Sequence, residues 1–233
     1  MAHISRTITF KTMSCLPQNF KKLAVALQKN RFREGKEIGI SSFGDHGNYL
    51  TGVLVTKIPV FLRSFDLGKM SVIRVPDQQY DVIPFGLDYN YATLEVYAPK
   101  GKLKLVENFL FDISEGIGFT AFSIDIHRFF DLLEKRAVPF SLTAMRIKDF
   151  EFEDSLRGTF ATKVLETTSG MKLMKRFKNN ITMIGTKLRI EGTDVLLRLN
   201  PEGSISFSCD EDSRQRVEVQ LKRLLVEKKR LLE

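Results

Sequence analysis

The chain predicts an α+β protein, mainly antiparallel β-sheet covered by about three amphipathic helices. Three observations carry that expectation. Many runs alternate apolar and polar residues with the period of two that half-buried strands require. Clusters of Gly, Pro and Asn separate these runs at hairpin spacing. Three further stretches place apolar residues three and four apart, the spacing of one helical face.

Residues 4–13 interleave Ile4, Ile8 and Phe10 with Ser5, Thr7, Thr9 and Lys11, which predicts a strand. Pro17 then suits a first helical turn, where a missing N–H costs nothing. Phe20, Leu23, Ala24 and Leu27 give that helix an apolar stripe, with Lys21, Lys22 and Lys29 outside it and Gly35 ending the unit. Residues 37–43 read as a strand and residues 44–48 as a turn. Residues 49–65 are apolar and β-branched; Pro59 among them lacks a ladder donor and predicts an edge or a bulge. Residues 72–75 and 80–85 read as two short strands split by Pro76 and Asp77. Residues 92–98 and 103–106 flank Pro99, Lys100 and Gly101, which predicts a hairpin.

Residues 115–119 form a break. Ile126, Phe129, Phe130 and Leu133 predict a second helix, with Ser123 as its N-cap and Pro139 past its end. Residues 143–152 alternate with a shift of one in the middle, and residues 159–166, 181–191 and 195–199 are further strand candidates. Asn200, Pro201, Glu202 and Gly203 form a turn signal before a strand at 204–208. Asp212 and Gln215 have capping-box spacing. The helix they open carries the stripe Val217, Leu221, Leu224, Leu225 and Leu232. Late in it, where cations complement the dipole, stand Lys222, Arg223, Lys228, Lys229 and Arg230. A division near Val138 and Pro139 would give an N-terminal α+β half, 1–138, and a strand-rich half ending in a helix, 139–233. No residue-level repeat relates the two, and a single domain is also compatible.

A chain of 233 residues buries enough surface to fold without disulfides or metal. The 19 Phe, with no Trp, suit core packing. Cys15 and Cys209 have no nearby cysteine partners and read as free thiols. The start has no secretory signal, and no apolar run reaches the length of a membrane span, so the expected location is the cytoplasm.

The formal net charge is +8, which favours anionic partners. Residues 170–189 hold six cations and no acid, and residues 21–36 form a second basic cluster opposed only by Glu34. Acidic spots lie at 149–154 and 210–212. In the first cluster Lys172, Lys175, Arg176 and Lys178 surround Phe177, a composition suited to phosphates and a stacked base. The competing expectation is a solvated hairpin with Phe177 turned inward.

Catalytic patterns are absent: no P-loop and no Gly-x-Ser-x-Gly. Glu95 is followed by Val96 and Tyr97, without the lysine two positions on that a restriction-type nuclease core uses. Asp45 and His46 sit in a glycine-flanked turn built of turn-forming residues. Asp125, His127 and Asp131 have the spacing of pairing on a helix surface. No cofactor, metal site or catalytic residue is predicted. The leading expectation is a non-enzymatic nucleic-acid-binding or accessory subunit. It would contact DNA or RNA through Lys172, Lys175, Arg176, Phe177 and Lys178, with Lys21, Lys22 and Lys29. One alternative is a structural or assembly protein acting through protein–protein contacts. Another is a metal-dependent nuclease or hydrolase with a scattered site around Asp45 and His46.

Overall fold

Alternating sequence becomes one antiparallel sheet of 11 strands in the computed structural model, which describes residues 3–66, 68, 70–153 and 156–226. Strand β1 (His3–Cys15) leads into helix α1 (Pro17–Lys29), with Pro17 in its first turn. Strands β2 (Ile38–Asp45), β3 (Tyr49–Asp66), β4 (Ser71–Asp88) and β5 (Thr93–Val96) follow, then α2 (Lys100–Ile113), β6 (Ile117–Ala121) and α3 (Ile126–Lys135). The rest runs β7 (Phe140–Glu153), β8 (Leu156–Lys163), α4 (Thr167–Arg176), β9 (Ile181–Ile190), β10 (Thr193–Asn200) and β11 (Ser204–Asp210). A 3-10 turn (Glu211–Ser213) and α5 (Arg214–Val226) close it.

The sheet order is β2-β3-β4-β5-β1-β11-β10-β9-β7-β8, with β6 also pairing β1. Strand β1 is the hinge of the topology: it pairs β11 over its first part, then β5 and β6 over its second. Its two faces enter different cores. Ile8 and Phe10 join Ile184, Leu188, Val195, Leu197, Ile205 and Phe207 beneath α3, α4 and α5. Met13, on the opposite face, joins Leu50, Leu54, Phe85, Leu94 and Val96 beneath α1 and α2. The register agrees: Ile8 lies opposite Ile205, while Lys11, on Met13's face, lies opposite Leu94. Helices therefore cover one side of the sheet in its first part and the other side in its second. The second part keeps a face that no helix among the described residues covers, while Lys222 of α5 reaches over the other face of the first part at Glu95 and Tyr49.

Several sequence expectations need correction. Five α-helices are described, where about three were expected. Residues 103–106 belong to α2, not to a hairpin strand: Leu103, Val106 and Leu110 are buried at helical spacing. Pro76 does not split β4, because this stretch pairs only β3 and its outer edge needs no donor. Pro59 lies past the end of β2, where β3 likewise loses its second neighbour, as an edge position requires. Asp125, not Ser123, caps α3 by accepting the Arg128 N–H at 3.1 Å. The capping box at Asp212 is replaced by the 3-10 turn, whose N-cap is Asp210 and makes no side-chain capping bond. His127 has no bond to Asp131; its Nε2 is buried without a partner. Residues 172–177 are not a hairpin: α4 and its C-cap Phe177 occupy them, and Lys178 lies in the turn that follows.

Other expectations match. The mid-strand shift in residues 143–152 is the register break between Ile147 and Phe150 in the pairing of β7 with β8, with Asp149 at φ +51°. The turn at 200–203 closes with Gly203 N–H donating to Asn200 O at 3.1 Å. Gly203 stands at φ +87°, and a Cβ there would collide with the Phe122 carbonyl. Val217, Leu221 and Leu224 are buried along α5. Leu232, Lys228, Lys229, Arg230 and Asp154 lie outside the described residues.

Candidate nucleic-acid interface

Strands β8, β7, β9, β10, β11 and β1 turn one face to their core and leave the other bare. Outward residues on a paired strand share a face with their register partners. One row across the sheet runs Lys163, Ala144, Gly185, Arg198, Ser206 and Thr7. The row on one side holds Ala161, Arg146 and Met183. The row on the other holds Ser141, Lys187, Leu196, Ser208 and Ser5. Small and hydroxyl side chains form the floor of a groove of about 300 Å³ lined by Ser5, Thr143, Gly185, Arg198, Ser206 and Ser208.

The cations on this face fall into two groups. Lys187 holds Asp194 at 2.8 Å, and this bond, aided by Arg189, keeps the Asp194 carboxyl below its usual range. Arg146, Lys163 and Arg198 are exposed, and among the described residues none has a carboxylate partner. They are free to meet an external anion without first giving up an internal one.

The predicted basic cluster lies elsewhere. Lys172, Lys175, Arg176 and Lys178 are exposed on and just after α4. Met174 and Gly170 of that helix pack on the core, so α4 stands on the covered side of the sheet. Phe177 is half-buried, 5.1 Å from Phe150, which itself stacks on Phe160 at 4.7 Å. Arg176 sits 5.3 Å over the Phe177 ring. Lys21, Lys22 and Lys29 are exposed on α1, on the opposite side of the sheet from α4. The two predicted clusters therefore do not merge into one patch.

Asp45 is committed to its turn, accepting the Gly47 N–H at 2.9 Å. No group of three or more His, Cys, Asp or Glu side chains among the described residues is placed to hold a metal ion.

Sequence reasoning missed a buried ionic cluster where Lys222 of α5 reaches Glu95 of β5. Glu95 is only 3% exposed. Its Oε2 receives Lys222 at 2.5 Å, the Tyr97 hydroxyl at 3.0 Å and the Tyr49 hydroxyl at 3.2 Å. Lys222 also reaches Glu218 at 3.1 Å, and Arg6 reaches Glu218 at 3.5 Å while lying over the Tyr97 ring. Gly86 makes room for this arrangement, because a Cβ there would strike the Tyr49 hydroxyl. Burial alone would lower the Lys222 ammonium, but Glu95, Tyr49 and Glu218 outweigh it and hold it above the ordinary lysine range. Burial and Glu95 together push both tyrosine hydroxyls up. Proton transfer near neutrality needs a group that titrates there. A lysine held charged and phenols held neutral act instead as a fixed clamp between α5 and the sheet.

The clamp was hidden because Lys222 and Glu95 are 127 positions apart in the chain, and only the β5–β1–β11 pairing brings them together. Arg146 and Arg198 had a local signal, as polar outward positions in alternating strands. No protein-family model and no curated protein matches this chain.

Proposed function

We propose that the protein is a non-enzymatic nucleic-acid-binding subunit that presents the open face of β8, β7, β9, β10, β11 and β1 to phosphates. One observation carries the reading: Arg146, Lys163 and Arg198 stand exposed and unopposed over a floor of small and hydroxyl side chains. Phosphate oxygens accept from arginine, lysine, hydroxyls and backbone N–H groups, and such contacts supply most non-specific affinity. The net charge of +8 adds a favourable long-range field.

The test replaces Arg146, Lys163 and Arg198 together by Ser. These are outward strand positions, so each change alone should move stability by no more than about 0.5 kcal/mol. Binding to mixed-sequence nucleic acid at low salt should weaken at least tenfold. Serine at Lys172, Lys175, Arg176 and Lys178 should weaken it less, because α4 lies on the other side. The reading fails if wild type binds no tighter than about 10⁻⁴ M at low salt, or if the triple variant binds as well as wild type.

The accessory role has separate support in the β3–β4 arm. Beyond Thr56, among the described residues, β3 pairs only β4, and this two-stranded ribbon exposes Phe61, Leu62, Val72 and Tyr80. Exposed apolar surface of this kind marks contact with another macromolecule.

A further inference from the structure

We propose that the open face takes double-stranded rather than single-stranded nucleic acid, an inference that rests on the nucleic-acid reading above. Two observations point to a duplex. The first is the absence of rings. Proteins that hold single strands stack bases on aromatic side chains. Among the described residues, the rows of this face carry Ser, Thr, Ala, Gly, Leu, Met, Lys and Arg, and no Phe or Tyr. The chain does not lack rings; it places them elsewhere. Phe150, Phe160 and Phe177 pack on one another at the covered side. The exposed rings Phe61 and Tyr80 are on the β3–β4 arm, and Phe111 is on α2.

The second observation is the spacing of the free cations. Lys163 on β8 and Arg198 on β10 share one register row with Ala144 and Gly185 between them. Three inter-strand spacings separate them, about 14 Å. A duplex groove about 12 Å wide is bordered by two phosphate rows at comparable separation. The two cations are placed to meet one row each, and the small side chains between them leave space for the duplex surface. A single strand offers one row, which either cation alone could hold. Backbone-directed binding of this kind fits duplex DNA and duplex RNA alike, since both present paired phosphate rows.

The experiment measures fluorescence anisotropy of the full chain with four probes at one low salt concentration. They are a 20-base-pair DNA duplex of mixed sequence, the RNA duplex of the same sequence, one strand of that DNA, and oligothymidine of equal length. At least one duplex should bind tenfold or more tighter than either single strand. Lys163→Ser and Arg198→Ser should each reduce duplex binding severalfold. A single strand that binds as tightly as both duplexes overturns the duplex inference and leaves the nucleic-acid reading standing. Failure of all four probes overturns that reading itself. A gain-of-function variant adds an independent check. Leu196 is 57% exposed at the centre of the face. Leu196→Tyr would supply the missing ring and should raise oligothymidine affinity severalfold. No gain would overturn the premise that the missing ring is what disfavours single strands.

Discussion

Glu95 and Lys222 show how one buried pair ties the end of the chain to its middle. Each is mostly withdrawn from water, so removing one partner leaves an uncompensated charge in a low-dielectric site. Lys222→Met should cost about 3–5 kcal/mol, read as a fall in the denaturation midpoint. Replacing both partners, Glu95→Leu with Lys222→Met, should recover most of that loss, because packed apolar side chains often match a buried ion pair. A double variant no more stable than Lys222→Met would show that the tyrosine hydroxyls, not the charge, dominate the site. The pH sign follows from the raised lysine and tyrosine values. Groups that bind protons more tightly when folded lend stability that is full below their unfolded values, near 10 to 10.4. That contribution is lost as pH rises through the folded values. Wild type should therefore lose stability above about pH 10 more steeply than the Lys222→Met variant. Leu221 is fully buried on the same helix, and Leu221→Ala should cost about 2–5 kcal/mol; an unchanged melting temperature would contradict its place in the core.

At the scale of elements, local signals gave the correct type wherever one period ruled. Strands β1, β3, β9, β10 and β11 show alternation, and α1, α3 and α5 show apolar stripes. The failures share one cause: charge or proline masked the period. In α4, Met171 and Met174 lie three apart, and Leu173 and Phe177 four apart, but the cations between them look like a solvated turn. In β4, Pro76 looks like a break because sequence does not show that its outer edge is unpaired. The site was less legible than the fold, since a face assembled from six strands depends on pairing partners far apart in the chain. Phe177 illustrates the difference. Its ring lies against Phe150, so Phe177→Ala should cost at least about 1 kcal/mol, the value of one aromatic pair. Single-strand affinity should stay unchanged; a loss of that affinity with no loss of stability would return Phe177 to the binding surface. On the β3–β4 arm, Phe61→Ser should change stability by no more than about 0.5 kcal/mol, because its side chain is 64% exposed. A larger loss in thermal melting would mean that the arm packs against the body.

Across the whole molecule, the decisive feature is the change of covered side along a single sheet. Helices α1 and α2 shield one side of the first part, and α3, α4 and α5 shield the other side of the second. A strand face of the second part is thereby left open beside its unopposed cations, while the buried Glu95–Lys222 clamp holds α5 across the changeover. On the proposed reading this open face, not the more conspicuous charge of α4, meets phosphates. The most direct test is the slope of log affinity against log salt for duplex DNA, in wild type and in the Arg146, Lys163 and Arg198 triple serine variant. Each lost phosphate contact on B-DNA should flatten the slope by about 0.9. The slope should be shallower by about 2 to 3 in the triple variant, with the α4 quadruple variant close to wild type. Superimposable slopes for wild type and the triple variant, or flattening confined to the α4 variant, would contradict it.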